Sequence, residues 1–277
     1  MRRNTAPCIG WATYHIYAKN PNANILVTPA DHLILQEDAF DEAICRSLDY
    51  VKAHPKLVTL GVRPSRPETG YGYIQFTDVE DEHFVKVKTF TEKPNIEMAK
   101  VFYESGEFLW NSGMFAWNVQ TILDAFHQYL PSLTSILDEV KGAYATDEEQ
   151  SRVSQVFSEC PNISIDYAVL EKADNVMVLP VDFGWADLGT WGSLYELKRE
   201  EPRANVALHT KALFYEAEGN IVSLDGDPEK QLVVVQGIND CIVAQSKGVL
   251  LICKRDEEQR IKEFMGEASV QFDKKFD

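Results

Sequence analysis

The stretch NILVTPADHLILQEDAFDEAICRSLDYVKAHPKLVTLGV, residues 24–62, decides the fold. Residues 24–28 and 56–62 are short apolar runs, which predict two strands. Between them, residues 38–54 have the apolar spacing of an amphipathic helix. Four residues form the apolar face of this helix: Phe40, Ile44, Leu48 and Val51. A strand, a helix and a strand in this order predict a βαβ unit, with parallel pairing of the two strands and a right-handed crossover.

The rest of the chain divides into a mixed α/β part and a β-rich part. Residues 70–118 are patterned mainly as strands, residues 119–158 as two or three helices, and residues 175–182 as a further strand. We predict an α/β domain over residues 1–202, with a Rossmann-like mixed sheet flanked by helices. Residues 203–277 contain short strands separated by Gly, Asn and Asp. They predict a small C-terminal β module, which is either a sandwich edge or a short β-helix-like stack.

Composition narrows the classes of partner. The 277 residues carry a net charge of −16, and such a chain repels nucleic acid and anionic membranes, so we expect neither partner. No apolar run is long enough to cross a bilayer. The five cysteines are scattered without metal-binding or CxxC spacing, which favours free thiols and a cytoplasmic location. A phosphorylated ligand would have to be bound through a metal ion or a small local set of cations.

Two aspartates follow predicted strands. Asp31 comes just after strand 24–28, and Asp187 follows strand 175–182 within the segment FGWADLGTW, residues 183–191. In open α/β sheets, ligands bind at the carboxyl ends of strands. Two carboxylates that meet there suit Mg²⁺, which takes one or two carboxylates together with phosphate oxygens and water. Two local alternatives remain open: Asp31 as the N-cap of the next helix, and Asp187 as an acceptor for the amides of its own turn.

Other segments suggest contacts to a sugar phosphate. Glu92 and Lys93 close a strand, where a lysine beside a glutamate can bind a phosphate and a hydroxyl together; a solvated charge pair is the alternative. Gly72, in a Gly-Tyr-Gly segment, by itself indicates only a tight turn. An Asn-Ser-Gly break at Asn111 interrupts the apolar strand 108–118, which predicts a bulge or a close backbone approach to a ligand.

Seven blocks of the chain occur in the order of one known family: RNTAPCI (3–9), TPADHLI (28–34), GYGYI (70–74), FTEKP (90–94), FLWNSGMFAWN (108–118), SIDYAVLEK (164–172) and FGWADLGTW (183–191). The chain resembles the bacterial mannose-1-phosphate guanylyltransferases, or GDP-mannose pyrophosphorylases, of the sugar-phosphate nucleotidyltransferase superfamily. The resemblance runs from residue 2 to about residue 260. It implies a nucleotide-diphospho-sugar transferase fold and the reaction of GTP with α-D-mannose 1-phosphate to GDP-mannose and diphosphate, with Mg²⁺.

The resemblance also implies a catalytic set. Asp31 and Asp187 are the expected Mg²⁺ ligands, and Lys93 joins them as a catalytic residue. The reaction then needs no protein nucleophile, because catalysis consists of positioning and charge neutralisation.

The expected substrate-binding residues come from other blocks of the resemblance. Glu92 and Lys93 are expected to contact the mannose and its phosphate, while Gly72 and Asn111 line the sugar pocket. Asp166, in the SIDYAVLEK block, is expected to have a structural or supporting role.

The sequence departs from the family pattern at its front. Family members begin with a strand that leads into a glycine-rich GGxGTRLWPLS loop for the nucleotide phosphates, whereas this sequence begins with MRRNTAPCIG. The resemblance therefore implies that the first strand and the loop are missing. We expect little or no GTP-dependent turnover by the isolated chain, and an exposed sheet edge that favours homo-oligomers.

Two other functions remain open at this point. One is a non-catalytic sugar-phosphate-binding or regulatory partner of a full-length nucleotidyltransferase. The other is a nucleotidyltransferase that acts on a different hexose phosphate.

Overall fold

A computed structural model of the chain describes residues 3–79, 83–91 and 93–272. They fold into two compact units. Unit 1 extends to Ala30 and then from Ile34 to Trp185, while unit 2 comprises Asp31–Leu33 and the chain from Ala186 onward. The units therefore divide the chain earlier than the predicted domains do, and the boundary at residue 202 stays a prediction.

Unit 1 combines helices with a central sheet. Its described helices are α1 (Thr5–Lys19), α2 (Glu37–Ala53), α3 (Ile96–Ser105), α4 (Val119–Tyr129), α5 (Pro131–Asp138) and α6 (Glu149–Val156). Its described strands are β1 (Asn24–Val27), β3 (Leu57–Val62), β4 (Tyr73–Val79), β5 (Val85–Thr91), β6 (Phe108–Asn118) and β7 (Val176–Val181). Two further short strands, β2 (Leu33–Ile34) and β8 (Trp185–Ala186), pair with each other, and the division into units falls within each of them.

The six strands of unit 1 form a mixed sheet in the order β1-β6-β3-β7-β5-β4, and β6 also pairs with β4. β3 and β7 are parallel, from Leu57 opposite Val176 to Val62 opposite Val181. The other pairs in the sheet are antiparallel. This mixed sheet with flanking helices confirms the predicted fold class.

The predicted pairing of the βαβ unit is wrong in one respect. β1 and β3 run in the same direction, but they are not neighbours, because each pairs in antiparallel fashion with β6, which lies between them. The reason is the burial of β6: Phe115 and Trp117 pack into the core on one face, and Ala116 packs into the core on the other. A strand that is buried on both faces belongs in the interior of a sheet.

Helices cover both faces of the sheet. One core cluster contains buried side chains from α1, α4 and α5, and a second contains the buried face of α2. The predicted apolar face of α2 is confirmed, since Ile44 and Val51 are buried in this cluster and Phe40 and Leu48 pack against it. Unit 1 is therefore a three-layer α/β/α structure.

Gly61, in β3, lies where two neighbouring strands approach closely. A Cβ atom at this position would lie 2.6 Å from Val178 Cγ2 and 2.7 Å from Leu109 Cδ1. Both neighbours are buried side chains in the same apolar cluster. The lack of a side chain at Gly61 therefore allows the sheet to pack at this point.

The predicted break in β6 is confirmed as a bulge. Thr59 lies opposite Phe115, but two residues later Gly61 lies opposite Asn111, so β6 has extra residues between these pairs. Gly113, within the bulge, has a φ of +69°, which a glycine adopts at little cost. The bulge leaves Asn111 at the junction of the two halves of β6.

Unit 2 is built mainly from short strands. Its described helices are α7 (Trp191–Lys198) and α8 (Ile261–Gln271), the latter preceded by a 3₁₀ segment, Arg255–Arg260. Its described strands are β9 (Val206–Leu208), β10 (Lys211–Tyr215), β11 (Ile221–Leu224), β12 (Leu232–Gln236), β13 (Cys241–Ser246) and β14 (Val249–Lys254).

These strands form a β-helix-like stack. β9, β11 and β13 pair in parallel in one sheet, β10 and β12 pair in parallel in another, and β14 adds to β13 in antiparallel fashion. Parallel pairing of successive short strands is typical of coils stacked on one another. Of the two predicted forms of the C-terminal module, the stack is therefore confirmed and the sandwich edge is wrong.

Asn220 holds one corner of this stack and is fully buried. Its Nδ2 donates to Asn205 Oδ1 and to the Ile238 carbonyl, both at 2.9 Å, and its Oδ1 accepts from the Cys241 N–H at 3.0 Å. One amide side chain thus contacts the preceding and the following coil, and its buried polar atoms are satisfied.

A helix that crosses a bilayer needs about 20 mostly apolar residues. Among the described residues, no helix is both long enough and apolar enough to do so.

Candidate functional site

The bulge of β6 holds Asn111 in a defined orientation within unit 1. Its backbone N–H donates to the Gly72 carbonyl at 2.8 Å. Its side-chain Oδ1 accepts from the Gly113 N–H at 3.1 Å, and its Nδ2 donates to Asp166 Oδ1 at 2.8 Å. Because the two ends of the amide have partners of opposite kind, the donor end and the acceptor end are distinguished.

Gly72 lies beside Asn111 and the end of β5. A Cβ at Gly72 would lie 3.6 Å from Asn111 Cβ, 3.6 Å from the Thr91 carbonyl oxygen and 3.9 Å from Asn111 Nδ2. All three are ordinary van der Waals distances. The structure therefore brings together Gly72 and Asn111, two residues predicted from separate blocks, and their binding of a sugar stays a prediction.

Asp166, for which the resemblance implies a structural or supporting role, is the partner of Asn111, a contact that the sequence did not predict. It begins a π-helical turn, Asp166–Leu170, and the hydrogen bond to Asn111 spans 55 residues of sequence. Burial raises the pKa of the Asp166 carboxyl, while hydrogen bonds from Asn111 and from its own backbone N–H partly offset that effect. The sequence signal was a single acid in an apolar segment, which indicates burial but not the partner.

The segment that carries Lys93 leaves the sheet near Gly72. β5 ends at Thr91, whose carbonyl oxygen lies beside Gly72, and Lys93 follows two residues later with an exposed side chain. A lysine in such a place can approach a phosphate from solvent. Glu92, the other predicted residue of this segment, lies outside the described residues.

Asp187 organises its own turn in unit 2. Its Oδ1 accepts from the Gly189 N–H at 3.0 Å and from Ser193 Oγ at 3.2 Å. Ser193 belongs to the first turn of α7, whose N-cap is Thr190. The local interpretation of Asp187 as an acceptor in its turn is therefore confirmed. Its role as a metal ligand stays a prediction.

Asp31 is exposed and does not cap a helix. The N-cap of α2 is Gln36, so the alternative of Asp31 as N-cap is wrong. His32 lies next to Asp31 in the sequence. Burial lowers the pKa of its imidazole, and the negative charges of Asp187 and Asp31 oppose that effect. The charges of both carboxylates thus raise the pKa of one side chain of unit 2.

The donor set of these residues fits Mg²⁺. Asp31 and Asp187 both supply carboxylate oxygens near His32, and carboxylate oxygens are ligands that Mg²⁺ accepts. Mg²⁺ commonly takes one or two carboxylates and completes its shell with water and phosphate. Within residues 3–79, 83–91 and 93–272, no group of three or more His, Cys, Asp or Glu side chains is arranged to hold a metal ion. Any Mg²⁺ site would therefore rest on the two aspartates and on non-protein ligands.

Comparison with known proteins gives consistent matches. The profile of the nucleotidyl transferase family matches residues 1–203. A mannose-1-phosphate guanylyltransferase of Escherichia coli (strain K12) is 37% identical over 267 residues, which cover 94% of this chain and 55% of the relative. Mannose-1-phosphate guanylyltransferase ManC of Salmonella typhimurium is 36% identical, with coverage of 94% and 54%. The chain thus spans about half the length of the curated relatives that it matches.

A solved structure gives a similar result for the fold. The crystal structure described as mannose-1-phosphate geranyltransferase from Thermus thermophilus aligns with a TM-score of 0.81 and 29% identity. The alignment covers 97% of this chain and 76% of that one. The similarity includes both units of the chain, since nearly all residues align.

Proposed function

The chain belongs to the nucleotidyl transferase family, and we propose that it transfers a guanylyl group from GTP to α-D-mannose 1-phosphate, giving GDP-mannose and diphosphate. The observation that carries the proposal is the similarity over 94% of the chain to relatives named mannose-1-phosphate guanylyltransferases. The grouping of Gly72, Asn111 and the Lys93 segment supports it, because separate blocks of the sequence predict each of these residues to bind a sugar phosphate.

The proposed reaction is a displacement at phosphorus. A phosphate oxygen of mannose 1-phosphate attacks the α-phosphorus of GTP and forms a new P–O bond. The bond from the α-phosphorus to the oxygen that bridges to the β-phosphorus breaks, and this oxygen leaves with the diphosphate. Asp31 and Asp187 would hold Mg²⁺, which supplies charge neutralisation to the phosphate oxygens when it is bound.

The residues of unit 1 would bind and orient the sugar phosphate. Because Gly72 has no side chain, a sugar ring would approach its backbone directly, and the Asn111 amide is held so that it can donate to a hydroxyl. The Lys93 ammonium would pair with the phosphate, and Glu92 would contact the sugar. These contributions are positional, and positioning of the attacking oxygen supplies a large part of catalysis in phosphoryl transfer.

Two properties accompany the proposed function. All five cysteines are free thiols, which suits the proposed cytoplasmic location. The proposed product, GDP-mannose, is a nucleotide sugar of the kind used in polysaccharide synthesis. Self-association into a homo-oligomer stays a prediction. The non-catalytic alternative is not favoured, because the relatives reported above are named as enzymes.

Calorimetry and product analysis test the proposed function. We expect the chain to bind α-mannose 1-phosphate at least about tenfold more tightly than glucose 1-phosphate, because a site built on hydroxyl contacts rejects an epimer. We expect GDP-mannose, measured by mass spectrometry after incubation with GTP and Mg²⁺, to form slowly. Binding of the sugar phosphate without GTP binding or GDP-mannose formation would favour the non-catalytic partner, and no binding of either substrate would reject the proposal.

The Gly72→Ala variant tests whether the sugar lies against Gly72. The added methyl group meets its neighbours at 3.6 Å or more, so we expect the melting temperature to stay within about 2 °C of the wild type. We expect affinity for mannose 1-phosphate to fall about tenfold or more, because the methyl group occupies the space proposed for the ring. The control is Gly142→Ala, where a Cβ meets nothing within 4 Å. Unchanged affinity in Gly72→Ala would place the sugar elsewhere.

A further inference from the structure

Asn111 and Asp166 form a side-chain pair with unused hydrogen-bonding capacity. One N–H of the Asn111 amide donates to Asp166 Oδ1, and the second has no acceptor among the described residues. Asp166 accepts from Asn111 and from its own backbone N–H, although a carboxylate can accept about four hydrogen bonds. The pair therefore presents one donor and one acceptor side by side.

The surroundings of Asp166 make this unused capacity costly. Asp166 is half-buried, and a carboxylate that has lost part of its solvent is unfavourable unless hydrogen bonds replace that solvent. The residues that follow it in the π-helical turn, Ala168, Val169 and Leu170, are buried in the core. The turn thus fixes Asp166 against Asn111, and π-helical turns are frequent at functional sites.

Gly72 lies beside the pair and presents only its backbone to it. Asn111 Nδ2 lies 3.9 Å from the position that a Cβ of Gly72 would occupy. No side chain fills that position, so a ligand placed against Gly72 would lie within reach of the amide. Two neighbouring hydroxyls of a ligand, one that donates and one that accepts, would match the pair.

We propose that Asp166 is a sugar-binding residue that accepts a hydrogen bond from one hydroxyl of the hexose phosphate, while Asn111 donates to the neighbouring hydroxyl. The inference rests on the proposed function, because it assigns a further residue to the same site. Asp166 and Asn111 would together bind two neighbouring hydroxyls, one that donates and one that accepts. Because hexoses differ in the arrangement of their hydroxyls, Asp166 would contribute to the choice among hexose phosphates.

Calorimetry with deoxygenated ligands tests this inference. The chain and its Asp166→Asn and Asp166→Ala variants are titrated with α-mannose 1-phosphate and with analogues that lack the 2-, 3-, 4- or 6-hydroxyl. In the wild type, we expect loss of one particular hydroxyl to weaken binding about 10- to 100-fold, as for a hydrogen bond to a charged group. In Asp166→Ala that hydroxyl no longer contributes, so the parent sugar and this analogue bind equally.

The Asp166→Asn variant separates binding from folding. Asparagine can still accept from Asn111, so we expect a wild-type melting temperature and a preference for the same hydroxyl that is weaker than in the wild type. Exposed Asp124 on α4 is the matched control: Asp124→Asn should leave the affinities for the whole ligand series unchanged.

The outcomes distinguish the two proposals. Failure of the wild type to bind mannose 1-phosphate would reject the proposed function and this inference with it. The second outcome is that the wild type binds mannose 1-phosphate, while the Asp166 variants lose affinity equally for every analogue or for none. This outcome would reject the contact between Asp166 and the sugar but would leave the proposed function standing.

Discussion

In a version of the protein completed with the glycine-rich nucleotide loop of the family, replacement of Asp187 by asparagine is expected to lower Mg²⁺-dependent turnover by about 10²- to 10³-fold, since one metal-ligating carboxylate contributes several kcal/mol of charge stabilisation. Asparagine retains an oxygen that accepts from the Gly189 N–H and from Ser193 Oγ. The turn before α7 should therefore persist while the charge is lost. Turnover is measured as GDP-mannose formation at saturating substrate.

Metal binding gives a second measurement that does not depend on turnover. Mn²⁺ replaces Mg²⁺ in an electron paramagnetic resonance titration, and we expect Asp187→Asn to weaken its binding about tenfold or more because the charge of the ligand set falls. The matched control in unit 2 is Asp256→Asn, at an exposed carboxylate. Unchanged Mn²⁺ affinity in Asp187→Asn would mean that Asp187 serves only its turn.

Replacement of Gly61 by alanine is expected to lower the free energy of unfolding of unit 1 by about 3 kcal/mol, near the upper end of overpacking costs. The methyl group would lie 2.6 to 2.9 Å from side-chain atoms of Val178 and Leu109, so β3 or its neighbours must move. Such a loss is a large share of the stability of a typical domain. We expect the thermal transition, followed by circular dichroism, to fall by roughly 6 to 12 °C.

Two further variants qualify the Gly61 result. Gly61→Val adds two more carbon atoms at the same place and should leave most of the protein unfolded or insoluble. Gly142→Ala should change the melting temperature by less than about 2 °C, because its methyl group meets nothing. Equal effects of Gly61→Ala and Gly142→Ala would show that the sheet accommodates a side chain at residue 61.

Several features of the fold and site follow from local sequence. The apolar spacing of α2 predicts its buried face, because a helix packs on its neighbours through residues at that spacing. The polar break at Asn111 predicts the bulge of β6, because polar groups and glycine are poorly suited to a buried, regular strand. The Asp-Leu-Gly segment predicts the hydrogen bond between Asp187 and Gly189, because the contact is made within the turn itself.

Other features depend on contacts between distant residues, which local patterns do not contain. The position of β6 between β1 and β3 depends on which apolar strand best fills the middle of the sheet. The order of apolar and polar residues within β1 and β3 is the same whether these strands pair with each other or with β6. The contact of Asp166 with Asn111 joins residues 55 positions apart. The assignment of Asp31–Leu33 to unit 2 is likewise a result of tertiary packing, because the strand before this segment belongs to unit 1.

The central position of β6 also determines when this sheet can form during synthesis on the ribosome. Among the described strands of this sheet, β1 pairs only with β6, and Asn24 and Asn118 are 94 residues apart. The parallel neighbour of β3 is β7, which is synthesised later still and ends at Val181. The nascent chain therefore carries apolar strands without partners for most of the time that unit 1 is being made, a period in which unpaired strands associate readily with other chains. Chaperone binding to the nascent chain would be of most use during this interval.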